Sequence, residues 1–341
     1  MKRKLTIISG PTAAGKSRLA VELAKRINGE VVSADSMQVY RHMDIGTAKI
    51  TKDEMQGVPH HLIDCLEPDR DFNVFKFKEL ANAALEDIYS RGRHPVIAGG
   101  TGFYIQSVLY DIDFSKPLPK GPKEGSAEIT ESLFDPDGKA DLKRLFELSE
   151  KGELDLRSAL ESMAEKKGAR FLHSLLAGID EKSSEIIHEN NIKRVIRAIE
   201  YYAETGEPIS AHNESMRRKP SPYDFRYYCL FRPPAEIYGL IDKRVDKMME
   251  EGLVNEVEKL VSMGLTDKNI SMQGLGYRQI YRYLAGDYDL EEAVRLIKRD
   301  TRHFAKRQYT WFRRERDVRM LDFNDFGLDY DRAVDFILED R

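Results

Sequence analysis

The octet Gly10-Pro11-Thr12-Ala13-Ala14-Gly15-Lys16-Ser17 sets two glycines, a lysine and a hydroxyl at the spacing of a phosphate cradle, G-x-x-x-x-G-K-[ST]. Glycines let the backbone curl until several N–H groups face one anion. A following helix adds the positive end of its dipole, and Lys16 adds a point charge. The Ser17 hydroxyl is the candidate Mg²⁺ ligand. Such a loop binds a diphosphate or triphosphate and is silent about which molecule carries it. The candidate anion-binding residues are therefore Gly10, Thr12, Ala13, Ala14, Gly15, Lys16 and Ser17.

A second group is the carboxylate of Asp35, inside Ser33-Ala34-Asp35-Ser36-Met37-Gln38-Val39-Tyr40. It follows an apolar run expected to pair beside the strand that leads into the cradle. Two chemistries suit an acid there: holding metal-bound water, or accepting a proton from an acceptor molecule. A third loop, Gly99-Gly100-Thr101-Gly102, breaks another apolar run. His60 and His61, near Asp64 and Cys65, look at first like metal ligands. Neighbouring residues of a strand point to opposite faces, so one core histidine and one polar contact are expected instead.

These loops need elements to position them. Leu5–Ser9, Glu30–Ala34 and His94–Ala98 read as strands, and Lys16–Ile27 and Val74–Arg91 as helices. Strands alternating with helices imply an α/β fold, a P-loop NTPase-like parallel sheet with helices on both faces. Ligands of such sheets gather at the carboxyl ends of the strands, where all three loops fall. From Asp113 to Ser126 the texture turns to Pro, Gly, Lys and Ser, a linker. Residues 127–190 lack strand alternation and read as helical. The expected division is a core of 1–112 and 191–341 with a helical insertion domain at 113–190. Further helices are expected over 191–205, 237–263 and 290–316, a strand over Cys229–Phe231, and a short amphipathic helix in the tail.

Composition excludes several classes. A net charge of −4 gives no global basic field, so any nucleic-acid surface must be local. Cys65 and Cys229, 164 residues apart, make neither a zinc finger nor a disulfide framework and are expected as buried thiols. No apolar stretch reaches 18 residues, and the opening residues hold too short an apolar run for a signal segment. The expectation is a cytosolic enzyme without membrane association.

The sequence resembles the bacterial tRNA dimethylallyltransferases, also called tRNA isopentenyltransferases. The likeness rests on the octet, on Ser-Ala-Asp-Ser-Met-Gln-Val-Tyr-Arg at 33–41, Met-Asp-Ile-Gly-Thr-Ala-Lys at 43–49 and Val-Pro-His-His-Leu-Ile-Asp at 58–64. It continues through Gly-Gly-Thr-Gly-Phe-Tyr at 99–104, Lys-Arg-Val-Ile-Arg-Ala-Ile-Glu at 193–200, Gly-Tyr-Arg-Gln at 276–279 and Lys-Arg-Gln-Tyr-Thr-Trp-Phe at 306–312. The resemblance implies transfer of a dimethylallyl group from dimethylallyl diphosphate to N6 of adenosine 37 in tRNAs reading codons that begin with U, with Mg²⁺ as cofactor. It implies Asp35 as general base, Thr101 bonded to the acceptor, and Arg244 neutralising departing pyrophosphate. It also implies tRNA contact through Asp35, Ser36, Met37, Gln38, Thr101, Lys193, Arg194, Arg197, Gly276, Tyr277, Arg278 and Gln279. The insertion would meet the anticodon stem-loop of a tRNA bound to a monomer. Read without the resemblance, the loop also suits a small-molecule kinase, an adenylate prenyltransferase or a nucleotide-switched module. Local basic patches favour the tRNA reading.

The segment Lys298–Arg316 interleaves basic residues with Phe304, Tyr309, Trp311 and Phe312. The charges suit phosphates and the aromatics could pack on ribose or base. An amphipathic helix with core aromatics and solvated charges fits the pattern as well; Trp311 and Phe312 are expected in the core. Removing charge at Arg313 and Arg314 is expected to weaken tRNA binding and flatten the dependence of log K on log salt. An unchanged slope would mean that those arginines are merely solvated.

Overall fold

The computed structural model describes residues 2–112, 114 and 141–340. The expected linker at 113–126 and the start of the insertion lie almost wholly outside them. The chain forms two compact units, 1–112 with 221–341, and 113–220.

In the first unit the chain runs β1 (Arg3–Ser9), α1 (Lys16–Arg26), β2 (Gly29–Ser33), the single turn α2 (Lys52–Met55), β3 (His60–His61), α3 (Val74–Ser90), β4 (His94–Gly99) and α4 (Gly102–Leu109). In the second it forms α5 (Leu142–Glu150), α6 (Leu156–Lys167), α7 (Ala169–Ile179), α8 (Glu181–Ile186), α9 (Ile192–Thr205) and α10 (Ile209–Arg218). The first unit resumes with β5 (Tyr223–Phe231), α11 (Pro234–Glu250), α12 (Leu253–Ser262), α13 (Tyr277–Leu284), α14 (Leu290–Phe312), β6 (Val318–Asp322) and α15 (Tyr330–Glu339).

The strands form one parallel sheet in the order β3-β2-β4-β1-β5-β6. Central β1 is buried from Leu5 to Ser9, which is why it reads as an unbroken apolar run rather than an alternating one. Two apolar clusters flank the sheet. One gathers Ile7, Val32 and Ile97 with α3 and α4, and the other Ile8, Val31 and Val96 with α1 and α15. Helices on both faces match the expected α/β class. Among the described residues no helix is long and apolar enough to cross a membrane.

Several expectations need correction. β2 does not neighbour β1, because β4 pairs with both and lies between them. The insertion ends at 220 rather than 190. Val195, Ile196 and Ile199 of α9 join the cluster of α6 and α7, so this helix belongs to the insertion's own core. The expected helix 237–263 is two, interrupted at Gly252 with φ 96°. Cys65 is exposed while Cys229 is buried. Phe312 is fully buried, but Trp311 stays 37% exposed. Sequence pattern also missed β3, which has two residues, and β6 at the sheet edge.

The edge near β3 carries a buried charge. Glu30 is fully buried, yet its carboxylate accepts from Arg91 Nη1 and Nη2 (2.9 Å to the latter), from His61 Nε2 at 2.7 Å, and pairs with Arg93 at 3.3 Å. Burial raises its pKa, but the Arg91 and His61 hydrogen bonds outweigh that and hold it below the usual carboxylate range. His60 bonds Val58 O at 2.8 Å, so both histidines are half-buried polar contacts and neither is core. Arg91→Ala strands part of this carboxylate's demand and is expected to lower the urea midpoint. The loss should shrink as acid protonates Glu30. Urea melts at neutral and acid pH check this, and an unchanged midpoint at neutral pH would contradict it.

Candidate active site

The cradle turns at the end of β1. Gly15 caps α1 in the left-handed region with φ 94°, and a side chain there would also strike the Tyr330 hydroxyl. Ala13 shares the left-handed conformation at φ 64°, and Ala14 is fully buried with its N–H on Pro11 O at 3.3 Å. α1 follows directly, with buried Leu19, Ala20 and Leu23 fixing it on the sheet, so its free amino end faces the cradle.

Three charged groups meet there. Lys16 Nζ donates to Pro11 O at 3.2 Å, folded back along its own loop. Burial pushes the Lys16 pKa down to about 8, against an opposing pull from Asp35, and nearby Arg244 pushes it the same way as burial. Arg244, on α11, donates from Nη1 to Thr12 Oγ1 at 3.0 Å. Burial lowers its pKa too, and Asp35 again opposes. Lys16, Arg244 and Asp35 therefore share one site although a strand separates β1 from β2.

Asp35 sits where β2 ends. Its Oδ1 accepts from the backbone N–H groups of Met37 (2.9 Å) and Gln38 (3.4 Å), an Asx-type turn. No hydrogen bond to its other oxygen forms among the described residues. Thr101 caps α4, and its N–H donates to Ala34 O at 3.2 Å, so the third loop is tied to the residue before Asp35. A side chain at Gly99 would collide with the same carbonyl.

Gln308, which sequence reasoning missed, ties the loops together. Its Oε1 accepts from Thr12 N at 2.9 Å and its Nε2 donates to Gly100 O at 2.9 Å. It lies on α14, 6% exposed, among residues otherwise read as a basic and aromatic face. A glutamine within a helix has no local partner to betray it. Only the fold shows that this one spans the two loops. The ion pairs Arg302–Asp242 (2.6 Å) and Lys298–Asp246 (2.5 Å) join α14 to α11, the helix of Arg244.

The remaining expected residues fall into three groups. Ser36, Met37 and Gln38 are half-buried beside Asp35. Gly276, Tyr277 and Gln279, expected at a tRNA surface, are buried. Gln279 bonds Gly276 N and Asp300, leaving Arg278 as the exposed member, paired with Asp300 at 2.9 Å. Lys193 and Arg194 are exposed on α9 of the other unit, whereas Arg197 pairs with Glu204 at 3.2 Å, so the expected basic face is narrower by one charge.

The expected protein donor to a divalent cation lies beside the cradle. Ser17 is exposed at the first turn of α1, a hard oxygen beside the cradle. Mg²⁺ commonly takes one or two protein oxygens, with phosphate oxygens and water completing the shell, and this arrangement fits that pattern. Among the described residues no group of three His, Cys, Asp or Glu could hold a metal unaided.

A parallel α/β core with a phosphate-cradle loop and a carboxylate at the carboxyl ends of its strands defines the class, a P-loop-like α/β fold. Family comparison then specifies it. A model described as IPP transferase matches residues 38–315, and one described as isopentenyl transferase matches 3–67. The chain belongs to the IPP transferase family, whose bacterial members are tRNA dimethylallyltransferases. It is 51% identical over 325 residues to a tRNA dimethylallyltransferase of Lachnoclostridium phytofermentans, covering 95% of this chain and 93% of that one. It resembles the full-length tRNA isopentenylpyrophosphate transferase of Bacillus halodurans at 40% identity and TM-score 0.67, over 99% and 96% of the two chains. It also resembles a eukaryotic dimethylallyltransferase acting on tRNA, at 26% identity and TM-score 0.73, over 98% and 80%.

The lowered Lys16 pKa gives a signed expectation. Below about pH 8 the ammonium is charged and anion affinity is level; above it the charge is lost and pyrophosphate affinity falls up to tenfold per pH unit. Lys16→Met should bind more weakly and lack that added decline, as titration calorimetry from pH 6.5 to 9.5 would show. Parallel pH profiles for the two proteins would contradict the assignment.

Proposed function

We propose that this chain transfers the dimethylallyl group of dimethylallyl diphosphate to N6 of adenosine 37 in tRNAs that read codons beginning with U. The observation that carries the reading is the meeting of Asp35 with Lys16 and Arg244, a base and two cations in one site. An adenine amine is a poor nucleophile because its lone pair is delocalised into the ring. As N6 bonds to the allylic carbon, the carbon–oxygen bond to the diphosphate breaks and the amine proton passes to Asp35. A positioned base contributes typically about 10²–10⁴-fold to such a step.

Charge grows on the pyrophosphate as it leaves. The N–H groups of residues 13 and 15–17, Lys16 and Arg244 are the groups that stabilise it, while Thr12 is held in place by Arg244 and Gln308. Ser17 would hold Mg²⁺, which supplies further neutralisation of that charge when bound. Thr101, one residue past the Gly100 carbonyl that Gln308 grips, orients the adenine. The target base must leave the stacked anticodon loop to reach Asp35. Arg278, Lys193, Arg194, Arg313 and Arg314 are exposed cations suited to phosphate contact.

Incubation with dimethylallyl diphosphate, Mg²⁺ and unmodified tRNA, then digestion and mass analysis of nucleosides, tests the reaction. An adenosine at position 37 heavier by one dimethylallyl group is expected, and a phosphorylated product with unmodified adenosine would remove the reading. Asp35→Ala should lower turnover by about 10²–10⁴-fold while tRNA affinity changes little. Equal losses in both would contradict its role as base.

A further inference from the structure

Residues 44–46 turn their three successive backbone N–H groups toward one point. A row of amides so arranged is an anion nest. Here the anion is supplied by the protein itself. Glu256 Oε2 accepts from Asp44 N (2.8 Å) and Ile45 N (2.9 Å), and Oε1 accepts from Gly46 N (3.0 Å). Oε1 also accepts from the Tyr277 hydroxyl at 2.7 Å. One carboxylate thus takes four hydrogen bonds, from donors 21, and from 210 to 212, residues away in sequence.

Each partner is fixed in turn. Tyr277 is fully buried, and burial, with Glu256 beside it, raises its pKa so that it remains a donor. A methyl group at Gly46 would meet the Tyr277 ring at 2.6 Å, so only glycine lets the ring lie flat on the loop. Val257 and Leu260 bury α12 in the main core, which leaves Glu256 little freedom to follow a moving loop.

The clasped loop leads to the catalytic carboxylate. Gln38 Nε2 donates to Ala48 O at 3.3 Å and Thr47 O at 3.5 Å, while Gln38 N is one of the two amides that hold Asp35 Oδ1. The order of dependence is Glu256, the 44–48 loop, Gln38, Asp35. Lys49 fastens the far end of the same loop, donating to Tyr40 O and Asp44 Oδ1, each at 2.6 Å, and to Asp64 Oδ1 at 2.5 Å. That staple touches the loop at its margins and leaves the amides of Ile45 and Gly46 to Glu256 alone.

We propose that Glu256 is a positioning residue for the transfer reaction, an internal anion whose occupancy of the 44–46 nest, completed by Tyr277, sets the Asp35 carboxylate against its substrate. The proposal rests on the assignment of Asp35 as the base. It predicts a loss in the chemical step rather than in diphosphate binding, because the cradle at 10–17 does not depend on this loop.

The test compares full-length wild type, Glu256→Ala and Glu256→Gln by transfer kinetics and by amide hydrogen exchange. Glu256→Ala should lower kcat by about 100-fold, the scale of a misplaced catalytic group, with KM for dimethylallyl diphosphate within about twofold of wild type. Exchange at the amides of Asp44, Ile45 and Gly46 should speed up by more than about tenfold. Formate, a free carboxylate small enough for the emptied nest, should restore part of both kcat and protection. Glu256→Gln keeps one acceptor oxygen and should fall between the other two, which preserves the test if the alanine variant does not fold. A purely structural side chain would lower the melting temperature, spare kcat below it and show no formate effect, and that result would overturn the proposal. Exchange is read without turnover. Unchanged protection at 44–46 therefore sinks the clasp, whereas absence of transfer by the wild type sinks only the assigned reaction.

Discussion

Two half-buried cations, Lys16 and Arg244, lose much of their hydration at one place, with Asp35 a carboxylate that both feel. Burying charge is costly unless an opposite charge or good hydrogen bonds offset it. Asp35 opposes the loss of hydration at both cations and Glu54 adds to it at Arg244, yet desolvation wins in each case, so an anion placed beside the pair would be stabilised by both. In the proposed reaction a diphosphate would bring that charge and gain more of it as its ester bond breaks. The same two cations are complementary to a late, charge-separated state of the proposed reaction. Asp35 is thereby a counter-charge at the site and, in the proposed reaction, its base.

The frame explains how residues so distant in sequence meet. In a parallel sheet all carboxyl ends point one way, so the loops after β1, β2 and β4 open on one side. With β4 between β1 and β2, its own loop of glycines lies between cradle and carboxylate, and small residues there keep the gap narrow. α14 lies across these loops. Gln308 bonds two of them, and Trp311 packs so near Gly102 that no side chain fits there. A helix read from sequence as a nucleic-acid face is therefore also part of the site's scaffold.

Much of this was legible in sequence for a clear reason. The cradle is contiguous, its glycines and lysine answer to local geometry, and the strands feeding it are buried apolar runs. Asp35 stands out because it follows such a strand, and Thr101 through the resemblance of its loop to the family's pattern. What sequence could not yield depends on long-range partners. Gln308 and Glu256 are ordinary helical polar residues until the fold brings Thr12, Gly100 and residues 44–46 to them. Tyr277 and Gln279 sat in a stretch that resembles the family's pattern, yet their side chains turn inward to Glu256 and Asp300. The insertion boundary was misplaced because the amphipathic pattern of α9 shows that it has an apolar side but not which core receives it. Two-residue β3 is too short to show any period.

A crystal structure with a non-cleavable thiodiphosphate analogue of dimethylallyl diphosphate and Mg²⁺ tests the central claim most directly. The account predicts diphosphate oxygens on the backbone N–H groups of residues 13 and 15–17, with Lys16 and Arg244 against them and the allylic carbon turned toward Asp35. Diphosphate bound away from the cradle, or an allyl group directed away from Asp35, would contradict it.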